Sequence, residues 1–241
     1  MNPESRNPRQ TEIGLAKPEL IVALDVDSLK KAEKFIDLLY PQVKIFKIGL
    51  QLFTLYGPGA VEMVHKKGAK VFLDLKFHDI PNTVAGAASS ATSLGIFMFN
   101  VHAQGGIEMM QRAKEAACLE ASKAGIKPPL IIAVTVLTSQ INNSTILPLV
   151  LSFTSNAREA GLDGVVASVQ EAGIIREKFG SDLVVVSPGI RPKGVDSGDQ
   201  KRIATPQDAA KAGSDYIVVG RPILEAKDPS LATQRILKSL N

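Results

Sequence analysis

Residues 71–84 read Val-Phe-Leu-Asp-Leu-Lys-Phe-His-Asp-Ile-Pro-Asn-Thr-Val, an apolar strand that ends in charges. Successive side chains of a strand point to opposite faces, so Asp74 and Lys76 share one face while Leu73, Leu75 and Phe77 take the other. An aspartate and a lysine are therefore expected as a pair on an enclosed face. Taking charges out of water is costly unless partners compensate, so stability alone is a weak reason for such a pair. Pro81 cannot donate to a ladder, so the strand should give way to a loop near Asp79, and two carboxylates are expected to flank the Lys76 ammonium. The plain alternative is a strand-end salt bridge on a wet surface, which contributes little. The surrounding sequence decides between the two.

The 241-residue chain is 45% hydrophobic and 22% charged, which suits one large α/β domain or two small ones with ample material for a core. Its net charge of +4 would attract anionic small molecules as readily as nucleic acid. No run of lysine or arginine exceeds two residues, tryptophan is absent and tyrosine occurs three times, so no nucleic-acid partner is expected. A single cysteine, Cys118, precludes an internal disulfide and falls among helix-forming residues, where it reads as packing. Three scattered histidines make no zinc-type cluster, and no metal site is expected. Residues 1–17 are polar and lack the apolar core of a secretory signal, so they read as a flexible tail ahead of one domain at 18–241. No apolar run reaches the roughly 18–20 residues of a membrane span, and a soluble, cytoplasmic protein is expected.

Working outward from 71–84, the same unit recurs. Residues 20–26 form a short apolar run ending at Asp25 and Asp27, with Ser28 as the cap of a helical pattern over 29–39. Strands are expected near 45–50, 70–77, 97–101, 130–137, 164–169, 183–187 and 216–220, which with 20–26 makes eight. Helical patterns fall between or after them at 57–67, 83–94, 106–123, 147–160, 170–179, 206–212 and 231–240. Near-continuous apolar strands alternating with helices predict a parallel sheet buried on both faces. Eight of them favour a single closed (β/α)8 TIM barrel over an open doubly wound sheet.

Barrel enzymes gather their chemistry at the carboxyl ends of the strands. Here those ends carry Asp25, Lys47, then Asp74 with Lys76 and Asp79, then Thr138 with Ser139, and finally Gly220-Arg221. Two lysines and two aspartates at the ends of neighbouring strands have formal charges that cancel, as a buried network requires. The seventh strand runs into Ser187-Pro-Gly-Ile-Arg191-Pro-Lys-Gly194, and this glycine-punctuated loop continues through Gly198-Asp-Gln200 to Thr205, the expected cap of the next helix. Loops after strands seven and eight of such barrels commonly take phosphate, and Arg221 offers a forked donor for it. His65, His78 and His102 read as structural, with His102 closest to the strand ends.

The pattern Asp74-x-Lys76-x-x-Asp79-Ile80-Pro81-x-Thr83, preceded by Lys47 and followed by Pro188-Gly-Ile-Arg-Pro192, Gly198-Asp-Gln200 and Gly220-Arg-Pro222, closely resembles the orotidine 5′-phosphate decarboxylase family over about residues 20–229. The resemblance implies conversion of orotidine 5′-phosphate to UMP and carbon dioxide without a cofactor. It implies Asp25 and Lys47 at the ribose and in the charged network, Asp74 beside the substrate carboxylate, and Lys76 as proton donor. It further implies Thr138, with Ser139 beside it, at the pyrimidine, Gln200 between base and phosphate, and Arg191, Gly220 and Arg221 at the phosphate. Asp79, Ile80 and Thr83 resemble the residues that this family lends to the neighbouring subunit, so a homodimer is implied. Two other readings remain open on residues alone: a magnesium-dependent decarboxylase or epimerase of sugar phosphates on the same barrel, and a non-catalytic phospho-ligand-binding barrel. The second has no need of Lys76.

Overall fold

The computed structural model describes residues 17–137, 145–192 and 202–240. Eight strands, β1 (Glu19–Ala23), β2 (Ile45–Gly49), β3 (Lys70–Phe77), β4 (Met98–His102), β5 (Leu130–Val134), β6 (Gly164–Val166), β7 (Val184–Ser187) and β8 (Tyr216–Val219), pair in parallel and in sequence order, with β8 closing on β1. Between and after them run α1 (Leu29–Leu39), α2 (Leu50–Tyr56), α3 (Pro58–Lys66), α4 (Pro81–Ser93), α5 (Gly106–Ala124), α6 (Ile146–Glu159), α7 (Val169–Phe179), α8 (Pro206–Lys211), α9 (Arg221–Leu224) and α10 (Pro229–Ser239). The closed barrel expected from the strand count is the observed fold.

The two-residue period of the strands sorts their side chains into two cores. Leu20 and Val22, Phe46 and Ile48, Val71 and Leu73, and Phe99 and Val101 point outward and pack under the helices. Ile21, Ile45, Phe72, Met98, Ile132, Val186 and Tyr216 point inward and plug the barrel. The plug fills the amino-terminal half of the barrel and leaves the carboxyl end for polar groups, because the next inward residue on each of β1 to β4 lies two positions further along.

Of the strands that end short of the sequence reading, two do so for a visible local reason. The fifth strand stops at Val134, short of 137, because Thr135 Oγ1 turns onto the Val166 carbonyl at 2.8 Å. The sixth stops at Val166, short of 169, since the Ser168 N–H already donates to Glu171 Oε2 (2.8 Å) in the first turn of α7. Two helices, α2 and α9, escaped the sequence reading. Leu50-Gln-Leu-Phe-Thr-Leu-Tyr56 alternates too much like a strand to declare a helix, and α9 is a single turn with Pro222 in it.

The amino-terminal end of the barrel is clamped twice in the same manner. Just before β6, Asp163 accepts the Ile131 N–H (2.8 Å) and holds Lys114 of α5 at 2.7 Å. Just before β8, Asp215 accepts the Val185 N–H (2.7 Å) and the guanidinium of Arg176 on α7, whose Nε also donates to the Gly213 carbonyl (2.7 Å). Removing the Asp215 carboxylate strands a mostly buried guanidinium and a backbone donor, so Asp215→Ala should lower unfolding stability by roughly 3 kcal/mol. Because the clamp lies at the end of the barrel remote from the polar strand ends, turnover per folded molecule should stay within about twofold. Urea unfolding midpoints and active-site titration check the two halves of this expectation.

Candidate active site

At the carboxyl end of the barrel a cavity of about 610 Å³ opens over the plug. Its walls fall into three sectors. Asp25, Lys47, Asp74, Lys76 and Asn100 line one side, Val134, Val136, Leu137 and Val166 the opposite side, and Pro188, Gly189, Arg191, Gly220 and Arg221 the third. Glu225, just past α9, also reaches its rim.

The charged sector is a ladder of alternating signs. Lys47 Nζ lies 3.0 Å from Asp25 Oδ1 and 3.2 Å from Asp74 Oδ2, and Lys76 Nζ lies 2.6 Å from Asp74 Oδ1. Gly49 leaves room for it, because a Cβ there would stand 3.0 Å from Lys47 Nζ and 3.3 Å from Asp25 Oδ1. The Asp74 side chain is only 13% exposed. Burial would raise its carboxyl, but the Lys47 and Lys76 ammoniums, with hydrogen bonds from Lys76 and Asn100, hold it down at about 2. Burial likewise works against the Lys47 ammonium, and the facing carboxylates of Asp74 and Asp25 overcome it, so its pKa is raised. Both groups are therefore ionised throughout the neutral range.

Asn100 has no counterpart in the sequence reading, and it fixes the ladder's shape. Its Nδ2 donates to Asp74 Oδ1 (2.7 Å), and its Oδ1 accepts the backbone N–H of Lys76 (2.8 Å). Lys76 has a φ of +52°, a left-handed conformation that costs a non-glycine residue roughly 1 kcal/mol or more. The β3–β4 register shifts between Leu73 and Phe77, which brackets this residue. The bend aims the ammonium at Asp74 in place of the next step of a regular pleat. An inward position on an otherwise apolar strand was the available signal, since a buried amide must find partners.

Asp25, Lys47, Asp74 and Lys76 are thus brought together as the sequence predicts, and Arg191, Gly220 and Arg221 line the same cavity, Gly220 directly beside Asp25. Asp79 is a correction. It does not flank Lys76 within the chain: it is exposed, its Oδ1 accepts the N–H of Ile80 (2.6 Å), and it lies outside the cavity wall. The chain has already turned toward α4 at this point, so a spacing of three residues no longer brings the carboxylate back to the ammonium. Ile80, 66% exposed, and Thr83, also exposed, continue the same outer edge. Thr138, Ser139 and Gln200 lie outside the described residues. His78 is exposed and packs at a tilt of 39° against His102 with centroids 5.3 Å apart, and burial lowers the His102 pKa, followed by the influence of His78 and Lys76. Thr205 caps α8 as expected, accepting the Asp208 N–H at 3.2 Å. Among the described residues, no cluster of three or more His, Cys, Asp or Glu could hold a metal ion, and no helix is long and apolar enough to cross a membrane.

Comparison with known proteins agrees with this geometry. The family described as "Orotidine 5′-phosphate decarboxylase / HUMPS family" matches residues 18–236. An orotidine 5′-phosphate decarboxylase of Moorella thermoacetica is 50% identical over 230 residues, covering 92% of this chain and 91% of its own, and one of Vibrio cholerae is 46% identical, covering 92% and 98%. The crystal structure of orotidine 5′-phosphate decarboxylase from Lactobacillus acidophilus superposes with a TM-score of 0.81 at 38% identity, covering 93% of this chain and 99% of that one. A match that runs from the first strand into the last helix, with relatives this similar along nearly their whole length, establishes that the chain belongs to the orotidine 5′-phosphate decarboxylase / HUMPS family.

Proposed function

We infer that this chain decarboxylates orotidine 5′-phosphate to UMP and carbon dioxide, the last step of de novo UMP synthesis, and that it does so without a cofactor. The observation that carries the reading is the Lys47–Asp74–Lys76 ladder at the mouth of the barrel. Loss of carbon dioxide from C6 of the pyrimidine leaves a carbanion with no adjacent carbonyl to delocalise it. Its stabilisation has to be electrostatic, and a preorganised ammonium is the group for that task. Lys76 supplies the positive charge where the negative charge develops, then gives C6 its proton. Asp74 holds Lys76 in place and lies beside the departing carboxylate. Asp25 and Lys47 take the ribose hydroxyls, Arg191, Gly220 and Arg221 the phosphate, Thr138 the pyrimidine, and Gln200 the space between base and phosphate. Binding energy from the phosphate, remote from C6, can then be used to order the charged ladder, which raises turnover as well as affinity. One domain from residue 18 onward carries these groups, acting in the cytoplasm.

The outward position of Asp79, Ile80 and Thr83 supports a homodimer in which this edge completes the site of a second copy. A two-fold interface is self-complementary, so each subunit would lend the same residues that it receives.

Orotidine 5′-phosphate should be consumed at an undiminished rate in the presence of EDTA, followed by the loss of its absorbance. Activity abolished by EDTA and restored by magnesium would instead favour the sugar-phosphate chemistry open to this barrel. Lys76→Ala should fold and bind UMP while turnover drops by at least about 10²–10³, the range for loss of one preorganised electrostatic group. Turnover near wild type would remove Lys76 from the role given to it.

Mixed Lys76→Ala and Asp79→Ala subunits, each inactive alone, should recover about one quarter of wild-type activity after random exchange, since half of the dimers are mixed and each of these has one intact site. Exchange demonstrated by mass, with no activity regained, would return Asp79 to its own subunit.

Because the folded pKa of Asp74 is about 2 and the unfolded value is about 3.9, its carboxylate contributes stability that is complete above about pH 4 and is lost as pH falls toward 2. The size is roughly 2–3 kcal/mol. The raised Lys47 has the opposite sign, contributing below its unfolded pKa and losing that contribution as pH rises through the folded one. Thermal unfolding between pH 2 and 5 should therefore be less pH-dependent in Asp74→Asn than in the parent.

A further inference from the structure

A second buried ion pair lies behind the cavity wall and has no part in the chemistry above. The side chains of Arg202 and Glu171 are 1% and 6% exposed. Glu171 sits in the first turn of α7, where one carboxylate oxygen takes the Ser168 N–H and the other takes Arg202 Nη1. The second amino group of Arg202, Nη2, donates to the carbonyls of Val136 (3.0 Å) and Leu137 (3.1 Å). Two residues on, Ala204 forms a parallel bridge to Ile190: its carbonyl accepts the Arg191 N–H at 2.9 Å, and its N–H donates to the Gly189 carbonyl at 3.3 Å.

Residues 202–204 therefore brace two walls of one cavity. Val136 and Leu137 belong to the apolar sector, and Gly189 and Arg191 to the cationic sector. An ion pair at this depth is weak evidence of stabilisation, since apolar residues of similar volume often serve as well or better. What the pair supplies here is hydrogen bonding. The strand ladder of β5 has ended at Val134, and the two carbonyls beyond it need donors. A planar guanidinium anchored by a carboxylate reaches both at once.

We infer that Arg202, anchored by Glu171, is a positioning residue for recognition of the heterocyclic base. It fixes the Val136–Leu137 backbone as the apolar wall against which a flat ring lies, at a set distance from the anion-binding end held by Ala204. Neither Arg202 nor Glu171 lines the cavity, so the effect passes through the wall. The inference rests on the nucleotide reading of the site given above.

Arg202→Met alone would leave Glu171 buried and unpaired, and the chain could fail to fold for that reason. The test therefore uses the double variant Glu171→Gln/Arg202→Met, which buries no net charge and keeps an amide oxygen for the Ser168 N–H. Its companion is Arg202→Lys, which keeps the ion pair but loses the fork. Thermal unfolding establishes that each is folded, and calorimetry measures UMP and ribose 5-phosphate binding to the full chain. In both variants UMP affinity should fall at least about tenfold while ribose 5-phosphate affinity stays within about twofold, because loss of fixed hydrogen bonds affects only the wall that meets the base. The kcat on orotidine 5′-phosphate should fall with UMP affinity. Equal losses for the two ligands, or unchanged UMP affinity in a folded variant, would overturn the inference. If the double variant does not fold, Arg202→Lys decides by the same two constants. A parent protein that binds UMP no more tightly than ribose 5-phosphate would overturn the nucleotide reading itself, a separate outcome visible before any variant is compared.

Discussion

Asp74 is shared between two ammoniums, and the carboxyl end of the barrel is arranged around the need to keep it so. A lone carboxylate at the depth of Asp74 would be protonated, and burial alone would work against the Lys47 ammonium; paired, these two remain ionised although little water reaches them. The neighbouring positions follow from that requirement. Gly49 gives up its side chain so that Lys47 can approach Asp25, and Asn100 donates to the same Asp74 oxygen that takes Lys76. Lys76 accepts an unfavourable backbone because Asn100 holds its N–H.

This arrangement also accounts for the geometry of a reaction that builds charge. Stabilising a carbanion with a flexible, solvated lysine would require that lysine to be stripped of water and aimed during each turnover. On the reading proposed above, a lysine already aimed by Asp74 has met the second of these requirements in the folding of the chain. Arg191, Gly220 and Arg221 follow other strands, β7 and β8, so on the proposed reading grip on the phosphate and stabilisation at the reacting carbon fall to separate parts of the barrel.

Much of this was legible in the sequence because a barrel of short parallel strands obeys a period of two. Asp74 and Lys76, read as one face, do meet, although through a left-handed residue and a register shift instead of an unbroken pleat, and Asp25, Lys47 and Asn100 share the inward parity of Asp74. The amide of Asn100 went unread because one polar residue in an apolar strand does not name its partner. Arg202 and Glu171 are 31 positions apart in the chain, and no periodicity links them. Ser168-Val-Gln-Glu171 carries the spacing of a helix start, yet it says nothing of the guanidinium that arrives from the far side of β7. The expected place of Asp79 beside Lys76 failed for a different reason: strand geometry stops predicting direction once the strand has ended.

The paired clamps at the opposite end, Asp163 with Lys114 and Asp215 with Arg176, have a bearing on how such an enzyme can change over generations. Each ties a strand to the helix before it with the same three parts: an aspartate, a backbone N–H and a cation. Both lie a full strand length from the reacting groups. Mutations that trade heat resistance against ease of unfolding can accumulate there while selection on the chemistry acts at the other rim. A lineage moving to a hotter or colder habitat thus has a place to adjust its tolerance without retuning its catalyst.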